Sequence, residues 1–184
     1  MSLTFAQLRT ANMARMPLFK NHLGGLSHSE PDGSDWSPAD WLVAVASEVG
    51  EALNVIKKIR RGDFATPQEG RALLGEELAD VVTYADILSF QMGEEFPGDF
   101  ETLRKVVNDS SLVNRPANLE LMVAVGRLAA KISRDAIPVE AHIILGAVVF
   151  CVDIIATQNN IDLGRAVRNK FNAVSRRIDC QVFL

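Results

Sequence analysis

Two helix-start signatures constrain this chain more than any other feature. Ser37-Pro38-Ala39-Asp40 and Thr66-Pro67-Gln68-Glu69 each set a hydroxyl residue where it can accept from the free N–H groups of a first turn, a proline at the first helical position, and an acid where a capping box needs one. Apolar residues at helical spacing follow both, which predicts helices from about Pro38 to Arg60 and from about Pro67 to Met92. Only "RRGDFA" separates them, so the two helices should fold back as an antiparallel hairpin.

The rest of the chain carries the same period. The N-terminal "MSLTFAQLRTANMARMPLF" reads as a short amphipathic helix without the apolar run of a signal peptide, and "PGDFETLRKVVND" as another short helix followed by a loop at "SSLVNRP". Two further helical runs, Asn118 to Arg134 and Pro138 to Gln158, join at "DAIP" as a second hairpin. The tail "DLGRAVRNKFNAVSRRI" then puts Leu163, Val167, Phe171, Val174 and Ile178 on one stripe of a basic helix. No strand pattern occurs. The expected fold is all-α, a single helical-bundle domain over residues 1–184 built from antiparallel hairpins.

With 184 residues, 48% of them hydrophobic, the chain can bury a full core, and a net charge of -4 excludes a binder of nucleic-acid polymer that works by bulk positive charge. The most apolar run, "IILGAVVFCVDIIA", is short for a bilayer and contains Asp153, which predicts a core helix and no membrane partner. Cys151 and Cys180 lack C-x-x-C spacing and are expected to be buried and reduced, in a cytoplasmic protein without a zinc site.

The two hairpins can be laid on one another. "VASEVGEALNVIKKI" matches "LMVAVGRLAAKI" through Val49-Gly50 and Val125-Gly126, and "YADILSFQMG" matches "CVDIIATQNN" through Asp86 and Asp153. Glu48 then falls on Ala124 and Glu51 on Arg127. Either the second copy kept the fold and lost its acids, or two amphipathic hairpins align by their shared period alone.

Those acids are the chemical centre of the sequence. Glu48 and Glu51 lie three apart in "SEVGEALNVIKK", as do Glu77 and Asp80 in "EELADVV", and residues three apart share a helix face. Packed antiparallel, the hairpin brings Glu51 near Glu77 and Glu48 near Asp80. One such pair alone is ordinarily a solvated face. Four carboxylates crowded among apolar residues repel one another unless a cation compensates, and an all-oxygen set suits Mg²⁺ or Mn²⁺ and phosphate chemistry.

"EVGEALNVIKK" followed by "EELADVVTY" resembles the E-x-x-E and E-x-x-D motifs of the MazG-like all-α nucleoside triphosphate pyrophosphohydrolases. The resemblance spans roughly 5–93 and resumes in the basic C-terminal helix, 161–184, leaving 94–160 as an insertion or a degenerate second hairpin. It implies Glu48, Glu51, Glu77 and Asp80 as metal ligands, hydrolysis of a (d)NTP to the monophosphate and pyrophosphate, and a housecleaning or pool-control role. It also implies an assembly such as a homodimer, in which substrate meets side chains from more than one hairpin; our own inference is that a chain with a degenerate repeat could build this internally, as a pseudo-dimeric monomer. Many relatives carry an acid just before the first motif glutamate. Here that residue is Ser47, which leaves Glu48 or a metal-held water as the base. The rival reading is a helical module that binds nucleotide as a sensor, or binds a protein, without turnover.

Other residues are placed as substrate contacts. Asn54 and Lys58 continue the face of Glu51, Lys170, Asn172 and Arg176 belong to the cationic tail helix, and Trp36 could stack on a base or staple the start of its helix by packing beside the Ser37 cap. His22, His28 and His142 show no ligand spacing.

Overall fold

The computed structural model describes residues 2–21, 23–133 and 139–184, so His22 and the connection at 134–138 lie outside the described residues. Among the described residues there are seven α-helices and no strands: α1 (Phe5–Arg15), α2 (Pro38–Arg61), α3 (Pro67–Gln91), α4 (Phe100–Asp109), α5 (Ala117–Ile132), α6 (Val139–Gln158) and α7 (Leu163–Arg177). The expected loop at "SSLVNRP" contains one 3₁₀ turn, Ser111–Asn114.

The start signatures work as their chemistry requires. Ser37 Oγ accepts from Asp40 N–H while Asp40 accepts from Ser37 N–H at 2.9 Å, closing a capping box. At α3 the box is displaced by one residue: Thr66 Oγ1 accepts from Glu69 N–H, but Glu69 reaches back to Ala65 N–H at 3.2 Å. Gly62, at φ 74°, ends α2 in the left-handed conformation a side chain would resist, and turns the chain into α3. Val45, Val49, Ala52 and Val55 of α2 then bury against Leu74, Leu78, Val81 and Val82 of α3. Each large side chain hidden this way contributes roughly 1.5–3 kcal/mol.

The second hairpin, α5 and α6, packs against the first, and the contacts around it repeat those of the first half. Thr4 and Asp99 form an isolated antiparallel bridge where each caps its own short helix. Phe5 N–H donates to Gly98 O and Phe100 N–H to Leu3 O, both at 3.1 Å, and the two rings lie 4.5 Å apart. From α1, the Arg9 guanidinium bonds the buried Asp86 of α3 and the carbonyl of Glu94; from α4, Arg104 bonds the buried Asp153 of α6 and the carbonyl of Ile161. Gln91 and Gln158 end α3 and α6 by donating to carbonyls of the loops before α2 and α5, at Asp32 and at Val113 and Arg115. Gly93 and Asn160 then leave both helices at positive φ, 75° and 55°. The alignment that pairs Asp86 with Asp153 also pairs Gln91 with Gln158 and Gly93 with Asn160.

One length expectation needs correction. The helix holding "IILGAVVFCVDIIA" is α6, whose stretch Glu140–Gln158 could cross a membrane by length and composition alone. In the bundle it is a core helix: Leu145, Val148, Val152 and Ala156 are fully buried, and Asp153, 1% exposed, is neutralised by Arg104. The tail helix α7 follows α6 in the chain yet packs chiefly on α3, so the second half of the molecule delivers it to the first.

Candidate metal and phosphate site

The register of the α2–α3 hairpin brings the carboxylates to one place. Glu48, Glu51 and Glu77 each offer an oxygen, and these atoms all lie within 4.8 Å of one another. Asp80 lines the same cavity, of about 390 Å³, but its carboxylate is engaged by Lys170 of α7, whose Nζ lies 3.0 Å from Asp80 and 3.4 Å from Glu76. The rest of the lining includes cationic and aromatic side chains: Arg15 and Phe19 from the end of α1 and the turn after it, Lys20, Tyr84 one turn beyond Asp80 on α3, and Arg177 from α7.

Crowding and burial show in the acidities. Burial first, then the neighbouring Asp80, Glu51 and Glu77, raises Glu48 to about 7. Burial also raises Glu77 and Asp80 above the ordinary carboxylate range, with Lys170 opposing in both cases. For Lys170 itself burial favours the neutral amine, and the Asp80 and Glu76 carboxylates outweigh it, so its pKa is raised. Because burial and neighbouring charge disfavour ionised Glu48, Glu77 and Asp80, this set of hard oxygen donors fits an oxophilic divalent cation, which would replace those protons and leave positions for water and phosphate oxygens. Glu48, Glu51 and Glu77 are the residues that would hold it, with Asp80 joining once released from Lys170.

Because Glu48, Glu77 and Asp80 keep their protons to higher pH folded than unfolded, the unfolded chain ionises first, and metal-free protein loses stability as pH rises from about 4.5 to about 7. For Glu48 this amounts to roughly 1–2 kcal/mol after allowance for its partial exposure. Thermal melts in chelator should therefore fall between pH 5 and 7.5, and Glu48→Gln should flatten that fall. A wild-type melting temperature that stays level across this window would mean the carboxylates ionise freely in the folded protein.

The other sequence-selected residues stand elsewhere. Asn54 is exposed and Lys58 half-buried on α2, and neither lines the cavity. Asn172 ties down the C-terminal residue, donating to Leu184 O and accepting from Leu184 N–H, and Arg176 lies over the Phe183 ring. Trp36 packs 5.0 Å from Trp41, the fourth residue of α2, and 4.9 Å from His28, completing a staple over the Ser37 cap. Of the proposed phosphate contacts only Lys170 reaches the cavity. Arg15, Lys20, Tyr84 and Arg177 do so without having been singled out. A faint signal existed for Tyr84, four residues after Asp80 and so on the same helix face.

Compared with known proteins, the chain matches no family model, no curated protein and no solved structure.

Proposed function

We propose that this chain hydrolyses a nucleoside or deoxynucleoside triphosphate between its α and β phosphates, releasing pyrophosphate and the monophosphate, in the manner of the MazG-like enzymes its motifs resemble. One observation carries the reading: three carboxylates from two packed helices converge within 4.8 Å in a cavity that also receives lysine and arginine side chains. An acid wall for a divalent cation beside a basic wall for phosphate oxygens is what a metal–polyphosphate complex requires. Mg²⁺ or Mn²⁺ bound there would neutralise the polyphosphate and make a bound water more acidic.

The chain's own groups then have separable tasks. Glu48, or a water held by the metal, is the candidate to take the proton of the water that attacks the α phosphorus while the bond to the bridging oxygen breaks and pyrophosphate leaves. Lys170 keeps Asp80 compensated and stands ready to pass to the leaving phosphates. The repeated contacts of the two halves support the reading of 94–160 as a degenerate second repeat, so that one chain forms a pseudo-dimer with one acid cluster. Such an enzyme serves cytoplasmic nucleotide housecleaning.

The deciding assay measures pyrophosphate against orthophosphate from a panel of canonical and modified NTPs and dNTPs, with Mg²⁺, Mn²⁺ or chelator. Metal-dependent pyrophosphate is the expected product. Folded protein that is stabilised by metal but releases nothing from any nucleotide would defeat the hydrolase and leave a nucleotide sensor.

A further inference from the structure

The cation most deeply set in this cavity is Arg15, at the last position of α1. It is 3% exposed, and its guanidinium carbon sits 3.5 Å from the centre of the Phe171 ring of α7. One terminal nitrogen donates to Phe171 O at 2.8 Å and to Ser175 Oγ at 3.4 Å, while Nε is buried without a hydrogen-bond partner. No carboxylate is within ion-pair distance of it among the described residues. Lys170 is taken up by Asp80 and Glu76, and Lys20 and Arg177 are exposed.

A buried, oriented and incompletely bonded guanidinium facing a cavity is a costly arrangement for a merely structural residue, because its lost hydration is only partly replaced. We propose that Arg15 is the anchor for the substrate's phosphate chain, donating to non-bridging oxygens from the lining of the cavity that holds the acid cluster. The proposal rests on the polyphosphate reading of the cavity. Burial lowers the Arg15 pKa to about 10, so the group remains a cation at neutral pH. The Phe171 stack and the two acceptors on α7 fix its plane before any ligand arrives, so little side-chain freedom remains to be lost on binding.

The test is calorimetric titration with inorganic tripolyphosphate, in Mg²⁺ and in chelator, of wild type, Arg15→Lys and Arg15→Met. Folding is checked by circular dichroism and Mn²⁺ affinity by electron paramagnetic resonance. Wild type should bind, Arg15→Met should bind roughly tenfold or more weakly, and Arg15→Lys should fall between, since it keeps the charge and loses the fork. Mn²⁺ affinity should not change. Wild-type tripolyphosphate affinity in folded Arg15→Met overturns the proposal, and where that variant does not fold, wild-type affinity in Arg15→Lys overturns it equally. Parallel losses of Mn²⁺ and tripolyphosphate binding also overturn it, because Arg15 would then act by holding α7 in place. Failure of wild type to bind tripolyphosphate under either condition removes the polyphosphate reading itself.

Discussion

Replacing Glu51 by alanine is expected to lower metal-dependent pyrophosphate release by roughly 10²- to 10³-fold, the scale on which an enzyme loses rate when one pre-placed electrostatic group is removed. In chelator the same substitution should leave stability unchanged or slightly raised, because Glu51 is exposed and adds to the repulsion on Glu48 and Glu77. Opposite signs in activity and stability are the signature of a group placed for a ligand. Glu48→Gln, which keeps shape and removes charge, should match the loss of rate. Asn54→Ala, on the same helix but away from the cavity, should change the rate by less than about twofold, as surface changes do. A Glu51→Ala enzyme as active as wild type, or an Asn54→Ala enzyme as damaged as Glu51→Ala, would relocate the chemistry.

That contrast also marks what could be read from sequence. The hairpin was legible because its signals are local: Ser37, Thr66 and Gly62 act on the turns they touch, and an antiparallel pair with so short a loop has little freedom of register. The acid cluster was legible for the same reason, since spacing of three on both helices survives any small error in their ends. The cationic lining was not. Arg15 meets Phe171 across 156 positions of sequence, and nothing in either stretch announces the other. Helical spacing placed Asn54 and Lys58 beside Glu51, yet packing of α7 on α3 determines which face the cavity occupies, and that is a tertiary fact. The likeness of the two halves extends to a second stretch. Phe5, Leu8 and Arg9 recur as Phe100, Leu103 and Arg104, directly after the two residues that cap α1 and α4.

Arg104→Met would leave Asp153, 1% exposed, without its cation, and breaking a buried pair from one side costs about 3–5 kcal/mol. Because Arg104 keeps some contact with solvent, the lower end of that range is expected. The double variant Arg104→Met with Asp153→Leu should recover most of the loss, since removing both charges from a buried site is often nearly neutral. Urea unfolding measures both. If the second half is scaffold for the first, pyrophosphate release per folded Arg104→Met molecule should stay near wild type although the molecule unfolds more readily. The reason is positional: Arg104 and Asp153 join α4 to α6, while the carboxylates lie on α2 and α3 and the cations come from the α1 end and α7. A folded variant with wild-type metal affinity but little activity would instead mean that the second half shapes the cavity through α7, which it presents to α3.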